Sequence, residues 1–260
     1  MSKTVVIDFL PESVSRYRQG WAVVVVDVIR ATTTAVTAVA GGRRCFPAPS
    51  VEAAQSLAHF FDAPLLAGES SGDLPAGFEM DNSPAQVAHR KDTYRPLVLV
   101  SSSGTRAIHE AGRCEAVYIA CFRNYSALPE YLAGRHDQVA VIGAGSKGEF
   151  REEDQICCAW IAARLIGKGY SPGNRQTDSV TERWSNAPPD ACLCSRSVDF
   201  LRRTNRLNDL DFILAHIDDI RSVFSVRQGE VKMFPPAHER LSTFAHVRAR
   251  QSSFEPTFQP

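Results

Sequence analysis

An excess of charge of either sign is missing from this sequence: Lys and Arg number 29, and Asp and Glu number 29. A neutral chain projects no long-range field toward nucleic acid or an anionic membrane surface, so neither is an expected partner and any anion site must be built locally. Long apolar runs are also lacking. The first, within Met1 to Leu10, holds a lysine and stops at Pro11, too short for a signal peptide or a membrane span, so a cytoplasmic protein is expected. The seven cysteines include no C-x-x-C pair, and the seven histidines show neither H-x-x-x-H nor H-E-x-x-H spacing, which argues against a zinc site and for reduced thiols. The Walker A pattern with its lysine is absent too, so a nucleoside triphosphate is not indicated. No internal repeat is detectable.

What is present is alternation. Apolar runs of strand length occur at Thr4 to Phe9, Trp21 to Val26, Pro64 to Ala67, Pro96 to Val100, Ala116 to Ala120 and Gln138 to Gly143. Helical patterns fall between them, at Ala31 to Ala40, Val51 to Phe61, Pro84 to His89, Thr105 to Ala111, Ser126 to Ala133 and Glu152 to Ile166, with Ser50 and Ser83 as caps. This order predicts an α/β fold with a mostly parallel sheet covered by helices. One catalytic unit is expected over residues 1–234, with 169–195 as a polar, proline-containing loop or insertion and short helices at Val198 to Arg203 and Asp209 to His216. Residues 235–260 read as an irregular tail, mobile or laid against a second subunit, so a homo-oligomer is compatible with the sequence.

In open α/β sheets ligands bind beyond the carboxyl ends of strands, and the chemically unusual residues fall there. Asp27 ends the valine run and is followed by Arg30 and by Thr32, Thr33 and Thr34. A carboxylate in that position either binds a cation, with the threonines and Arg30 facing a phosphate, or pairs with Arg30 while a threonine caps the helix. Glu69 follows a second buried strand and opens a glycine-rich acidic loop that runs to Asp81, Asn82 and Ser83. Ser101, Ser102, Ser103 and Gly104, leading into Thr105 and Arg106, form a turn suited to an anion nest or to simple helix capping. A glycine loop holding Lys147 leads into Glu152, Glu153 and Asp154, where the helix dipole alone accounts for the first two acids. Asp154 is set apart by the small apolar residues after it, which should hold it near the same cleft.

Four segments in this order, D-V-I-R-A-T-T-T, A-G-E-S-S-G with G-F-E-M-D-N-S-P, S-S-S-G-T-R-A, and G-A-G followed by F-R-E-E-D-Q-I-C, resemble the 2-phosphosulfolactate phosphatase family. The match spans roughly the first two thirds of the chain and, more faintly, Ser195 to Phe212. The resemblance implies a three-layer α/β/α fold with a mixed sheet and a Mg²⁺-dependent phosphatase of a small anionic substrate, 2-phospho-3-sulfolactate, in a step that serves coenzyme M synthesis in methanogens. Among the positions it marks are Asp27, Arg30, Thr32 to Thr34, Glu69, Asn82, Gly104, Thr105, Arg106, Asn124 and Asp154. The chain departs from the family where Ser101 to Gly104 replaces T-T-N-G, and where Gly143-Ala144-Gly145 replaces C-A-G.

On this basis Asp27, Glu69 and Asp154 are expected to hold Mg²⁺. Arg30, Arg106, the threonines and the Ser102 to Gly104 turn are expected to hold the phosphate, with Asn82, Asn124, Arg123 and Lys147 toward the rest of the substrate. Asp27 as a nucleophile remains an alternative to Asp27 as a ligand. Another phosphorylated hydroxy acid, a sugar phosphate, or a non-catalytic anion-binding module are the alternatives for function.

Overall fold

The structure is a computed structural model in which residues 3–235 are described. The expected tail lies outside the described residues from position 236 onward. The chain runs β1 (Thr4–Phe9), a 3-10 helix (Pro11–Tyr17), β2 (Ala22–Val26), α1 (Ala31–Ala40), β3 (Cys45–Ala48), α2 (Val51–Ala58), β4 (Leu65–Gly68), α3 (Pro84–His89), β5 (Leu97–Val100) and α4 (Gly104–Ala111). It continues through β6 (Ala116–Ala120), α5 (Ala127–Leu132), β7 (Gln138–Gly143), α6 (Glu152–Ile166), β8 (Ser171–Pro172), α7 (Arg175–Trp184), a 3-10 helix (Pro189–Cys194), α8 (Arg196–Arg203), α9 (Leu207–Ala215), β9 (Val223–Arg227) and β10 (Glu230–Phe234). No helix of the described residues is long and apolar enough to cross a membrane.

The ten strands form one mixed sheet in the order β4-β5-β3-β10-β9-β6-β2-β7-β1-β8. Two parallel blocks, β4-β5-β3 and β6-β2-β7-β1-β8, are joined by the β9–β10 hairpin through three antiparallel pairings. The blocks therefore run in opposite senses along the ladder, so the carboxyl ends do not meet through a single parallel sheet. The blocks are bridged by α1 and α4, each of which packs on both: α1 on β3, β5, β6 and β10, and α4 on β2, β3 and β6. On the outer face, α6 and α7 cover β1, and α2 covers the smaller block, completing three layers.

Burial on both faces explains the unbroken valine run of β2. Val23 and Val25 pack with Ala35, Val36 and Ile108, while Val24 and Val26 pack with Ile156 and Trp160. A central strand with period-two side chains and apolar layers above and below has no polar face to display.

Three segments differ from the sequence expectation. Residues 169–195 are not a loop: β8 pairs parallel with β1, and α7 packs on β1 and α6. Its pattern is obscured because only a narrow stripe, Thr177 and Val180, is fully buried. Asn174 starts it by accepting the Thr177 N–H at 2.8 Å. β3 was hidden by Pro47, which is tolerated because β10 pairs with β3 only at Cys45. β9 and β10 flank a two-residue turn whose Gln228 and Gly229 have φ of 51° and 77°, the paired left-handed geometry of a type I′ hairpin.

Asn174→Ala should remove the α7 cap and lower unfolding free energy by about 1 kcal/mol in urea titrations. No change would mean that α7 contributes little to the fold.

Candidate active site

Asp27 leaves β2 where that strand ends against Gly143 of β7. It is buried, and its Oδ1 accepts the Ala31 N–H at 3.1 Å, so it caps α1 from four residues before the helix begins. Its Oδ2 receives no donor among the described residues and lies over Gly104, where an added β-carbon would collide with it and with Ala31. Glycine at the start of α4 is therefore what lets the helix approach this carboxylate.

Asp154 stands beside it. A β-carbon on Gly143 would come within 3.3 Å of the Asp154 β-carbon, so the absent side chain admits the first turn of α6 to this end of the sheet. Asp154 Oδ1 accepts the Val28 N–H at 2.8 Å and Oδ2 accepts the Gly145 N–H at 3.2 Å, tying together the loops after β2 and β7. Glu69, half-buried after β4, is engaged at both oxygens: Oε1 by the Ser102 N–H at 2.6 Å, and Oε2 by the Gly72 N–H at 2.7 Å and the Ser102 hydroxyl at 2.9 Å. Glu153 is 1% exposed, and its Oε2 has no hydrogen-bond partner.

These acids act on one another. Burial first, and the charges of Glu69 and Glu153 with it, push the Asp27 carboxyl up to about 7 against the opposing Ala31 N–H and Arg30. Asp154 is held well above the usual carboxylate range by burial, then by Asp27 and Glu153. Glu153 is raised by burial, opposed by the Ser197 and Ser195 hydroxyls. Asp27 is thus the centre of a pocket of like charge.

The groups expected to hold phosphate are placed differently. The threonine hydroxyls are buried and each donates to a backbone carbonyl at 2.7 Å: Thr32 to Ala120, Thr33 to Val28 and Thr34 to Asn82. Their protons are committed to the fold. Arg30 is buried and forms a bridge, Nη1 to Asp209 at 2.6 Å and Nη2 to Asp81 at 2.8 Å. Arg106 points along the surface to Glu12 at 2.8 Å, and Arg123 is held by Asp219 and the Thr37 hydroxyl. Asn124 closes the turn after β6, accepting the Cys121 N–H at 3.0 Å and donating to Ile119 at 3.2 Å. Thr105 caps its own helix with Ser101. Lys147 is exposed on its turn, while Asn82 is buried with Oδ1 unpartnered. Ser103 and Gly104 begin α4 beside Asp27, and neither N–H has an acceptor among the described residues.

Three participants escaped the sequence reading. Arg206 donates from Nε to Asp81 at 2.8 Å and from Nη1 to the Gly72 carbonyl at 3.3 Å, clamping both ends of the loop that carries Glu69. Asp209 accepts from Arg30, from the Ser83 hydroxyl and from the Ala85 N–H. Glu153 looked like an acid placed only by the helix dipole. The faint similarity at Ser195 to Phe212 was the available signal for the first two.

Among the described residues no three His, Cys, Asp or Glu side chains stand together at metal-holding spacing. The donor chemistry still fits a hard cation bound through one or two carboxylates plus water, as Mg²⁺ commonly is, because the buried Glu153 Oε2 has no partner and Asp27 Oδ2 receives no donor among the described residues.

The 2-phosphosulpholactate phosphatase family matches residues 8–229, which include every group described above. This chain belongs to that family. Its similar relatives include probable 2-phosphosulfolactate phosphatases of Pseudothermotoga lettingae, 39% identical over 62% of this chain and 68% of its own, and of Thermotoga petrophila, 35% identical over 60% and 70%. That of Parasynechococcus marenigrum is 30% identical over 81% of this chain and 87% of its own. Membership makes the protein a phosphoric monoester hydrolase and gives the acid pocket its chemical context.

For the cation-free protein the pKa shifts fix a sign. A folded-state Asp27 pKa of about 7 exceeds its unfolded value, so the native state binds the extra proton, and its stabilising effect is lost as pH rises through about 7. In EDTA the melting temperature should fall from about pH 5 to about pH 8, with a shallower fall in Asp27→Asn. An unchanged slope in that variant would remove Asp27 as its source.

Proposed function

We propose that the chain is a magnesium-dependent phosphatase that hydrolyses 2-phospho-3-sulfolactate to 3-sulfolactate and phosphate in the cytoplasm. The observation that carries this reading is the buried, mutually repelling carboxylate pocket around Asp27, in a chain of this family. Such a pocket is costly unless a cation is drawn into it.

In this reading Asp27, with carboxylates drawn from Glu69, Asp154 and Glu153, holds Mg²⁺. Bound there, the ion would supply positive charge to the phosphoryl oxygens and to the attacking water. Water adds to phosphorus, the bond from phosphorus to the substrate's hydroxyl oxygen breaks, and that oxygen leaves with a proton as sulfolactate forms. The Ser103 and Gly104 N–H groups at the start of α4 are placed to receive phosphoryl oxygens. Glu69 fixes the Ser102 turn that presents them, and Asp154 fixes the loops on either side of Asp27.

Arg106, expected toward the phosphate, pairs with Glu12, and Arg123, expected toward the rest of the substrate, pairs with Asp219. Another small phosphorylated hydroxy acid or a sugar phosphate would meet the same phosphoryl machinery.

The purified protein should release phosphate from 2-phospho-3-sulfolactate with Mg²⁺ and lose that release in EDTA. Asp27→Asn should lower kcat/KM at least about a hundredfold with an unchanged circular dichroism spectrum. Release from a panel of other esters but not from phosphosulfolactate would overturn the substrate, and full activity in EDTA would overturn the cation.

A further inference from the structure

Resting on that reading, and extending it, we infer that Arg206 is a positioning residue for the reaction, holding the Ser103 and Gly104 N–H groups in place through the turn at 70–73. The route is a run of hydrogen bonds from the α8–α9 connection to the start of α4. Arg206 Nη1 donates to the Gly72 carbonyl at 3.3 Å, and the Gly72 N–H donates to Glu69 Oε2 at 2.7 Å. Glu69 Oε1 accepts the Ser102 N–H at 2.6 Å, and the Ser71 N–H donates to the Ser102 hydroxyl at 2.9 Å. Ser103 and Gly104 follow Ser102 directly.

Packing does not hold this stretch. Ser102 is exposed and Glu69 half-buried, so hydrogen bonds fix the turn that presents the two N–H groups. The 70–73 turn is closed by paired bonds between Ser70 and Asp73, and it seats against Phe200 of α8: a β-carbon on Gly72 would come within 3.1 Å of that ring. The Arg206 guanidinium lies 5.6 Å from the centre of the same ring and binds Asp81 through Nε at 2.8 Å, so one planar group ties together the two ends of the loop. Asp81 also accepts from Arg30 Nη2 at 2.8 Å, so removing Arg206 strands no carboxylate. Its loss is therefore expected to loosen the turn and leave the fold standing.

A double-mutant cycle on steady-state phosphate release tests the assignment. Arg206→Ala should lower kcat about ten- to a hundredfold with KM within about threefold of wild type, since the N–H groups meet the phosphoryl oxygens best in the transition state. Arg206→Lys should not restore the rate, because an ammonium group does not span both acceptors in one plane. In a Glu69→Gln background, where a single acceptor oxygen replaces two and the link to Gly72 is cut, the same Arg206→Ala change should cost less than about threefold. Amide exchange in Arg206→Ala should quicken at 69–73 and 101–104, with the melting temperature within about 3 °C of wild type. Wild-type kcat in Arg206→Ala, full restoration by lysine, an equal loss in the Glu69→Gln background, or faster exchange across the whole chain would overturn the assignment. The cycle runs on any ester that the wild type hydrolyses, with or without Mg²⁺, so a wrong substrate or cation overturns the earlier reading and leaves this test intact.

Discussion

Buried negative charge without a matching cation on the protein is the constraint around which this molecule is arranged. Asp27, Glu153 and Asp154 are all essentially removed from water, and a buried carboxylate carries an effective penalty of several kcal/mol even after relaxation. Partial compensation comes from helix geometry. α1, α4 and α6 all begin at this pocket, through Ala31, Gly104 and Glu152, and each positive helix end offers an anion roughly 0.3–1 kcal/mol, up to about 2 when buried. The remainder accounts for why Asp27 holds its proton to about pH 7 when no cation is present.

Around this uncompensated centre lies a compensated ring. Arg30 bridges Asp81 and Asp209, Arg206 joins Asp81 to Gly72, and the Ser83 hydroxyl closes onto Asp209. The ring connects α1, the acidic loop after β4, and the α8–α9 connection, so the loop bearing Glu69 is fixed from two sides. Breaking one partner of such a buried pair generally costs about 3–5 kcal/mol, because it strands the other. Arginine thus serves to shape the pocket's wall, and the pocket itself keeps its negative charge.

Much of the frame was legible in the chain because burial writes itself into apolar runs. β1, β2, β6 and β7 and helices α1, α3 and α6 follow from valine-rich stretches, glycine stops and serine caps. A mostly parallel sheet and a shared cleft for Asp27 and Asp154 follow from the same pattern, whereas the strand order that sets β2 beside β7 does not. The hidden parts are those where local signals conflict with tertiary context: Pro47 in β3, the polar surface of α7, and the short β9–β10 hairpin that reverses the second block. At the site, residue types pointed to charge but could not say where each group turns. Thr32 to Thr34 and Arg30 have the chemistry of a phosphate cradle, yet their hydrogen bonds face the protein. Glu153 was obscured for the opposite reason, since a helix start explains an acid without requiring that it be buried.

Anomalous scattering from Mn²⁺-soaked crystals addresses the central claim most directly. A single strong peak within coordination distance of the Asp27 carboxylate, in the pocket bounded by Glu153 and Asp154, is the expected result. A map with no peak there at saturating Mn²⁺, while phosphate is still released, would contradict a cation-neutralised acid pocket.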